Sequence, residues 1–543
     1  MERLDVHRVL WREGSVHSLL FLIFLAAIVL PSSVYAVYAL QFHPLAKYPG
    51  PLLGRLTQCY DLYHAFQGDK HVLLYQLHKK YGPVVRFSPN TISINDPVAL
   101  RSIYAHGANV KKSIFYECFR AAPQAISTLL ATDKTHHARK RRVMAQAFSA
   151  EALRGLEQYV MGRIEDLIER MNILLDQTQP PKSQSTVTLN MANYLNYLVF
   201  DIMGELVFGR SFGTLGDKPE NRDAIRLLGR AARRNYTVAA MPVLAQYGVE
   251  KYLPFLRGLY RDRAKYLAFG KGQVLARAKE NGLDEGGRRD IFSYLLHAQD
   301  PETGTGFPMP ELFMEGNTLI VAGSDTSSTT MSAVMFYLLT NADAMSRLKH
   351  EVLSTFQNVE EICTGPKMQT CSWLRACIDE AMRMSPAVAG LLPREVMEGG
   401  FGISELGLFL PAGVQVGVSS YVVQHNEDYV RDPFKYDPGR WLHEDEKLPE
   451  LRQDKEALNS VFCPFSLGSR ACLGKPLVYM ELSITLARLV WEYDMRLAPE
   501  RRPRPAIAKQ IKQGIRHPAE YQYQDWFLSN NEDVVVEISR RQR

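Results

Sequence analysis

The stretch FSLGSRACLGK, from Phe465 to Lys475, limits what this chain can fold into more than any other part of its sequence. It places Cys472 between Gly468 and Gly474, directly before a segment with helical periodicity. Backbone N–H groups at the start of a helix have no partner inside the helix, and with the helix dipole they favour a thiolate. We therefore expect Cys472 to act as a thiolate at the start of a helix.

Composition predicts a large folded protein with reduced thiols. Of the 543 residues, 46% are hydrophobic and 22% are charged, so bulk disorder is not expected. The net charge of +6 is modest for this length, and only local clusters of charge carry information about partners. The 7 cysteines form no CxxC pair and no zinc-like spacing with histidine, which favours a cytosol-facing enzyme.

Helical periodicity covers most of the chain, and strand patterns are short. No GxGxxG or GxxxxGK[ST] motif is present, so electrons for any redox chemistry have to come from outside the chain. The sequence thus predicts a mainly α protein with a small β region. Predicted helices are Asp69–Tyr81, Ala150–Leu175, Pro310–Thr340, Ala342–Phe356, Trp373–Met384 and Lys475–Tyr493, and predicted strand regions are Pro83–Asn95, Gly413–Ser420 and Asp533–Ser539.

The N-terminus predicts one transmembrane helix. No charged residue occurs between Glu13 and Lys47, and the apolar run from Leu19 continues to Leu40. Crossing a bilayer takes roughly 20 apolar residues, so a helix over about 19–40 is long enough. Residues 1–42 are therefore predicted to be a membrane anchor.

A cleaved signal peptide is the alternative, since SSVYA ends at Ala36 like a cleavage site. The preceding segment has no net positive charge and the apolar run is long, which favours the anchor. Lys47 and Arg55 orient the following domain toward the cytoplasm. After the anchor, three prolines in residues 43–54 predict a stiff, non-helical hinge, and residues 55–543 a single catalytic domain without repeats.

The residues around Cys472 also identify what the thiolate would bind. Phe465 can shield the sulfur, Arg470 can pair with an anion beside it, and a thiolate ligand to haem iron fits all of these features. The spacing of Phe465, Gly468, Arg470, Cys472 and Gly474 is FxxGxRxCxG, and in this the chain resembles the cytochrome P450 family. A buried cysteine at a helix start would not need the other four residues. The resemblance implies the P450 fold, a haem b cofactor and Cys472 as the iron ligand.

A second motif, AGSDT, lies in the longest apolar helix and ends in Asp325 and Thr326. Ser and Thr within a helix often only bond back to the carbonyl four residues earlier. An acid–alcohol pair in a buried helix is nevertheless costly, and Thr326 can compete for the carbonyl of Ala322 and open a groove there. The motif matches the family pattern AGx[DE]T. By that resemblance, Asp325 and Thr326 are the catalytic residues that manage proton delivery during oxygen activation.

DEAMR contains Glu380 and Arg383 three residues apart, on one helix face. The pair resembles the family's ExxR motif, whose third member is an arginine in a later loop. Arg440 in DPGRW takes that place, although Gly439 stands where the family commonly has Glu. The replaced Glu is not part of the charge triad, so these three residues are expected to support the haem side structurally.

DKTHHARKRR, residues 133–142, is a solvated basic face or a nucleic-acid patch if taken alone. The resemblance instead implies that His137 and Arg141 hold the haem propionates, because they have the family's [W/H]xxxR spacing. Arg394 in PREV resembles a further propionate-binding arginine. The remaining cations, which are Arg139, Lys140, Arg142 and Lys475, form a hypothetical docking surface for an acidic redox partner.

The resemblance covers nearly all of the chain after the anchor and is strongest to fungal microsomal enzymes of natural-product pathways. It implies a monooxygenase that inserts one oxygen atom from O₂ into a lipophilic small molecule, with NADPH electrons from a separate cytochrome P450 reductase. A haem-thiolate isomerase or dehydratase and a non-catalytic haem binder remain alternatives; the intact Asp325 and Thr326 favour the monooxygenase. No nucleic-acid partner is expected, and the expected location is the endoplasmic reticulum membrane.

Family position also predicts the substrate pocket. The segment VAGLL, residues 388–392, carries no charge and includes two very small residues. These features only weakly favour a pocket for a bulky apolar skeleton, such as a terpenoid or polyketide, over ordinary core packing. The predicted lining comprises 121–130, 236–244, Leu319, Ala322 and 388–392.

Overall fold

Helices form most of the protein in the computed structural model, which describes residues 24–25, 27–177, 186–280, 290–442, 449–499 and 504–542. A helical segment over residues 27–37 comes first and continues as the π-helix Tyr38–Phe42. The α-helices that follow are α1 (Leu52–Leu56), α2 (Cys59–Gln67), α3 (Lys70–Tyr81), α4 (Pro97–Tyr104), α5 (Lys134–Gln146), α6 (Ala150–Asp176), α7 (Met191–Phe208), α8 (Asp223–Ala240), α9 (Val243–Gln246), α10 (Pro254–Glu280), α11 (Ile291–His297), α12 (Met309–Thr340), α13 (Ala342–Thr355), α14 (Pro366–Thr370), α15 (Ser372–Met384), α16 (Ser420–Gln424), α17 (Pro449–Val461), α18 (Lys475–Glu492) and α19 (Pro505–Lys512). Short 3₁₀ turns lie at Ile114–Phe119, Pro219–Arg222, Val249–Lys251, Val359–Glu361, Ser404–Leu406, Pro438–Trp441 and Gly468–Arg470.

The strands are short and gather into small sheets at the side of the helical body. One sheet has the order β1-β2-β8-β5-β3, another β4-β12-β9, and two hairpins pair β6 with β7 and β10 with β11. Only the β2–β8 pairing is parallel among the described strands. The strands are β1 (Val84–Ser88), β2 (Thr91–Ile94), β3 (Val110–Lys112), β4 (Val187–Asn190), β5 (Arg394–Val396), β6 (Phe401–Ile403), β7 (Leu408–Leu410), β8 (Gln415–Gly417), β9 (Tyr493–Leu497), β10 (Tyr523–Trp526), β11 (Leu528–Asn531) and β12 (Val535–Arg540).

Helix α12 runs through the centre of the core. Most of its side chains are buried, as expected for a helix that is surrounded by protein on all sides. It packs most extensively against α7, and Gly323 allows the close approach: a Cβ there would lie 2.4 Å from the Met203 sulfur. The glycine of the AGSDT motif therefore has a packing reason, and the helix is held at a fixed distance from its neighbour.

The long helices predicted from periodicity are confirmed within one or two residues of their ends, and the predicted mainly α fold with a small β region is correct. The predicted strand region Pro83–Asn95 is the hairpin β1–β2, which turns between Ser88 and Thr91. Predicted residues Gly413–Ser420 contain only the three-residue strand β8, because the chain enters helix α16 at Ser420.

No helix within the described residues is long and apolar enough to cross a membrane. Residues 19–23 and 26 of the predicted helix lie outside the described residues, so the transmembrane helix stays a prediction. The described part of this segment exposes large apolar side chains, including Phe24, Ile28, Leu30 and Val34.

The proline-rich segment after the anchor is attached to the body. The backbone N–H of Arg86 in β1 donates to the Pro49 carbonyl at 2.8 Å, and its guanidinium donates to the Ala39 carbonyl at 2.7 Å. The prediction that residues 43–54 are non-helical is correct up to Pro51 and wrong from Leu52, where α1 begins. Proline fits at a helix start because its missing N–H has no intrahelical partner there.

The predicted triad of Glu380, Arg383 and Arg440 forms, and it fixes α15 to the loop that precedes α17. Arg383 Nε and Nη2 each donate to one carboxylate oxygen of Glu380 at 2.9 Å, and Arg440 Nε donates to Oε1 at 3.0 Å. Trp441 Nε1 and the Asp437 amide also donate to this carboxylate. Burial raises the pKa of Glu380, but the two guanidinium groups outweigh it and hold the pKa below its usual value.

Removing the charge of Glu380 is expected to destabilise the fold. Glu380 and Arg383 have no solvent exposure, so Glu380→Gln leaves a buried guanidinium without its counter-ion. A loss of about 3–5 kcal/mol in the free energy of unfolding is expected, measured by urea unfolding followed by circular dichroism. Glu360→Gln, at an exposed position, is the matched control. Equal stability of both variants would show that the triad does not hold the fold.

Candidate functional site

Cys472 lies in the turn that leads into α18, as the sequence predicts. Its own N–H donates to the Phe465 carbonyl at 2.9 Å, which closes the turn. The backbone N–H groups of Gly474 and Lys475 point at the sulfur and, with the charges of Arg141 and Lys475, lower the pKa of the thiol. The expected cluster of donors around the sulfur is therefore present.

These donors do not suffice by themselves to make a thiolate. Part of Cys472 is exposed, yet protein surrounds its sulfur closely enough that burial raises the pKa of the thiol above its ordinary value. Burial is the largest influence and outweighs the N–H groups and the two cations. A bound metal ion deprotonates a coordinating thiol outright. The sequence argument from the helix start alone was therefore incomplete, because it left out desolvation.

The close approach of helix α4 leaves no room for a side chain at Gly468. Its φ of +65° lies in the left-handed region, and a Cβ would sit 2.0 Å from the Tyr104 carbonyl oxygen at the end of α4. Any other residue would force the turn away from α4. This backbone contact within the chain accounts for the glycine at this position of the FxxGxRxCxG motif.

The three residues predicted to hold haem propionates, and Arg470, predicted to pair with an anion beside Cys472, lie around one cavity of about 520 Å³. They come from separate parts of the chain: His137 and Arg141 from α5, Arg394 from β5, and Arg470 from the turn before Cys472. Arg141 Nη1 donates to the Ala471 carbonyl at 2.7 Å, which connects α5 directly to the turn. The structure thus brings together positions that are more than 300 residues apart in sequence.

Sequence reasoning missed a further basic residue at this cavity, Lys112 of β3. Its side chain is buried, donates to the Leu129 carbonyl and lies over the Tyr116 ring. Burial, followed by the positive charges of Arg394, Arg470 and Arg141, lowers the pKa of Lys112 well below its usual value. No local motif distinguishes this lysine from Lys111, and only the strand's alternation between buried and exposed faces could have indicated it.

The cavity is positively charged without compensation from the protein. In the part of the chain that the structure describes, none of Lys112, Arg141, Arg394 and Arg470 forms an ion pair with a carboxylate. Arg394 Nη1 donates to the Tyr116 hydroxyl and Arg470 Nη1 to the Ala131 carbonyl, so both bind only neutral groups. Like charges this close destabilise one another. The site therefore fits a ligand that carries at least two negative charges.

His137 contributes no charge to this cavity. Burial lowers the pKa of His137 to about 3, with the nearby Arg470, Lys112, Arg141 and Arg394 as further causes. The imidazole is therefore neutral at physiological pH. It can donate one hydrogen bond to an anion, whereas the arginines supply the charge.

The remaining cations of α5 do not form the predicted docking surface. Lys140 has no exposed area and its Nζ lies 2.7 Å from Glu311. Arg139 also pairs with Glu311, and Arg142 pairs with Asp300 at 2.7 Å. These three cations form ion pairs within the protein, because Glu311 of α12 and Asp300, which precedes α12 in the chain, face α5. The hypothesis that Lys140 attracts a redox partner is wrong.

On α12, the Thr326 hydroxyl donates to the Ala322 carbonyl at 2.6 Å. This is the bond that the AGSDT motif predicts, and it diverts the carbonyl toward a side chain. Next to it, burial raises the pKa of Asp325 to about 7. No ion pair stabilises this carboxylate within the described residues. Asp325 can therefore take up and release a proton near neutral pH.

A second cavity, of about 70 Å³, lies beside this part of α12. Of the predicted pocket residues, Leu129, Leu130 and Ala322 line it, whereas 236–244, Leu319 and 388–392 do not. Sequence reasoning missed the contributions of α8, α10 and the β10–β11 hairpin. The hairpin residues could have been found only from the tertiary pairing, since no motif marks them. Missed lining residues are Phe119, Leu228, Ala231, Ala232, Asn235, Arg263, Tyr266, Leu267, Met314, Asn317, Thr318, Val321, Trp526, Phe527 and Leu528.

Asp325 also predicts a pH-dependent stability. Because the folded pKa of about 7 lies above the ordinary aspartate value of 3.8, the folded state binds more protons between these values, and stability falls as pH rises through them. Asp325→Asn cannot ionise, so its melting temperature relative to wild type should be higher at pH 8 than at pH 5. Thermal unfolding at both values measures this. An unchanged difference between the two proteins would show that Asp325 titrates normally.

The fold and these motifs agree with the comparisons to known proteins. The family model described as Cytochrome P450 matches residues 44–524. The cytochrome P450 monooxygenase poxM of Penicillium oxalicum is 38% identical over 464 residues, which are 85% of this chain and 86% of that protein. The cytochrome P450 monooxygenase atnE of Emericella nidulans is 36% identical over 480 residues, 88% of this chain and 90% of that protein.

Among solved structures, the cytochrome P450DA heme domain superposes with a TM-score of 0.69 at 17% identity, over 91% of this chain and 98% of that one. At this identity the likeness shows the fold alone. The family match and the identity to the fungal proteins extend over most of the chain. The chain therefore belongs to the cytochrome P450 monooxygenase family.

Proposed function

We propose that this chain is a haem-thiolate monooxygenase that uses haem b, with Cys472 as the iron ligand, and inserts one oxygen atom from O₂ into a lipophilic small molecule. Members of the family carry haem and take electrons from a reductase. Two neighbouring features of α12 carry the proposal. The Thr326 hydroxyl bonds the Ala322 carbonyl, and the adjacent Asp325 carboxyl has a pKa of about 7.

The residues around the larger cavity fit haem. Arg141, Arg394 and Arg470, with Lys112, supply the positive charge that two propionates require, and neutral His137 adds a hydrogen bond. Cys472 lies in the turn that also carries Arg470, so one short segment supplies both the iron ligand and a propionate partner. When bound, haem supplies the activation of O₂, and thiolate ligation favours O–O cleavage.

The protein's own contribution to the reaction is proton management. Asp325, with a pKa of about 7, is present in both protonation states under physiological conditions, as a general acid requires. Thr326 can exchange its bond to the Ala322 carbonyl for a bond to a water molecule. Together Asp325 and Thr326 can hold and pass protons along this part of α12.

An isomerase or dehydratase would use the same cysteine but would need neither the acid–alcohol pair of Asp325 and Thr326 nor electrons from a reductase. A non-catalytic haem binder would not need them either. The presence of Asp325 and Thr326 in this arrangement therefore favours the monooxygenase over both alternatives.

Thr326→Ala tests this assignment. Loss of the hydroxyl should lower the ratio of product formed to NADPH consumed by roughly ten-fold to a hundred-fold, with peroxide released instead. The assay uses reductase, ¹⁸O₂ and a substrate selected by its Soret shift from a terpenoid and polyketide library. Thr340→Ala is the matched control, because its hydroxyl makes the same bond to the Phe336 carbonyl at the far end of α12. Product without ¹⁸O, formed without NADPH, would establish the isomerase instead.

The fungal relatives and the apolar lining of the smaller cavity support a substrate from secondary metabolism, with a terpenoid or polyketide skeleton. We further assign NADPH–cytochrome P450 reductase as the electron donor and the endoplasmic reticulum membrane as the location. The exposed apolar side chains before residue 43 support a single-pass anchor with the catalytic domain in the cytoplasm.

Deletion of residues 1–42 tests the anchor. The full-length protein should stay in the microsomal pellet after alkaline carbonate extraction, and the shortened protein should be released, since the apolar segment is gone. Arg86 loses its bond to the Ala39 carbonyl in this variant, so thermal unfolding checks its stability. A full-length protein that carbonate extracts, or that is glycosylated in the lumen, would contradict the proposed topology.

A further inference from the structure

Two buried polar groups in the smaller cavity have no hydrogen-bond partner among the described residues. Tyr266 and Asn317 are 2% and 7% exposed, and both line the cavity beside Ala322. Neither the Tyr266 hydroxyl nor Asn317 Oδ1 makes a hydrogen bond with any described residue. Buried polar groups in proteins are almost always hydrogen-bonded, and an orphaned group therefore needs an explanation.

These two groups lie on the same side of the cavity. Tyr266 and Gly270 are one turn apart on one face of α10, and Asn317 on α12 packs against Gly270, with Oδ1 3.0 Å from where a Cβ of Gly270 would sit. Glycine at position 270 therefore leaves room for the Asn317 amide. The phenol can donate directly to an anion, whereas the orphaned Asn317 Oδ1 is an acceptor, so Asn317 donates only with its amide turned over to present Nδ2.

Arg263 adds an uncompensated positive charge to this side of the cavity. It precedes Tyr266 by three residues, so it lies on the same face of α10. One of its nitrogens, Nη2, donates to the carbonyls of Arg120 and Phe119, at 2.6 and 3.4 Å. Its other N–H groups have no partner among the described residues.

The carboxylates of Glu250 and Asp262 near Arg263 are already paired. Glu250 binds Arg234 through both of its oxygens, and Asp262 binds Arg230. Arg263 is half-buried, and burial lowers its pKa to about 10, so its guanidinium still carries a full charge at neutral pH. It has no counter-ion among the described residues, which favours an anion beside it. Burial and, after it, the charge of Asp325 raise the pKa of Tyr266, so the phenol stays protonated and can donate.

We propose that Arg263, Tyr266 and Asn317 bind a carboxylate of the substrate, so that the enzyme oxidises lipophilic carboxylic acids. This inference rests on the proposed monooxygenase function, because it assigns the substrate of the same site. Guanidinium and phenol donors suit a carboxylate, and the apolar side chains around them, such as Leu129 and Phe527, suit a hydrocarbon skeleton.

The position of these donors also indicates where the substrate is oxidised. Asn317 and Ala322 are five residues apart on α12, which is about 7 Å along the helix axis. The Thr326 hydroxyl bonds the Ala322 carbonyl, so the proposed reaction takes place near Ala322 and not near Asn317. The oxidised carbon is therefore separated from the carboxylate by several bonds, and oxidation next to the carboxylate is not expected.

The test compares acids with their methyl esters. Dodecanoic, farnesoic and abietic acids and the three esters are titrated into haem-loaded full-length enzyme, and dissociation constants are measured by the Soret shift and by calorimetry. At least one acid should bind ten-fold or more tightly than its ester, since charge-assisted hydrogen bonds are the strong ones. Arg263→Gln should remove this preference while ester binding is retained, and Arg263→Lys should keep part of it. Arg261→Gln, at an exposed position of α10, is the matched control.

Each outcome separates this proposal from the proposed function. If no acid of the three binds ten-fold more tightly than its ester, or if Arg263→Gln keeps the preference, the carboxylate site is wrong and the monooxygenase is unaffected. If the ester affinity falls as much as the acid affinity, Arg263 only holds the loop of Phe119 and Arg120, and the proposal is also wrong. If the enzyme shows no thiolate-ligated haem, the proposed function fails first.

Discussion

The site depends on positive charge that the protein does not neutralise. Arg141, Arg394, Arg470 and Lys112 come from different elements and meet at one cavity, and none is paired with a carboxylate in the described chain. Their mutual repulsion opposes folding unless an anion lies between them. A bound anion would therefore stabilise the arrangement of α5, β3, β5 and the Cys472 turn, and these elements define the cavity.

Burial raises the pKa of both Glu380 and Asp325, and the presence or absence of neighbouring cations separates their structural and chemical roles. Glu380 stays ionised because Arg383 and Arg440 outweigh its desolvation. Asp325 has no cation beside it, so desolvation alone raises its pKa to about 7. The first carboxylate is a fixed ionic connection between a helix and a loop, whereas the second can exchange a proton. Residue type alone would not distinguish them.

Local patterns predicted much of this protein. Periodicity placed α6, α12 and α18 to within two residues, and local motifs predicted the Thr326–Ala322 bond and the backbone N–H groups near the Cys472 sulfur. Features set by long-range contacts were missed. Lys112 becomes a member of the basic cavity only through the pairing of β3 with β5, and Lys140 is buried because carboxylates of α12 face it. Arg263 and Tyr266 lie in α10, whose contact with α12 no motif indicates.

The most direct test of the central claim is the carbon monoxide difference spectrum of the dithionite-reduced protein in microsomes. The account predicts a red-shifted Soret band in wild type that is absent in Cys472→Ala, because the thiolate of Cys472 is the iron ligand. A folded, haem-loaded wild type with only the shorter-wavelength band would contradict it, since the ligand would then be neutral. A red-shifted band that persists in Cys472→Ala would place the iron ligand elsewhere and contradict the account equally.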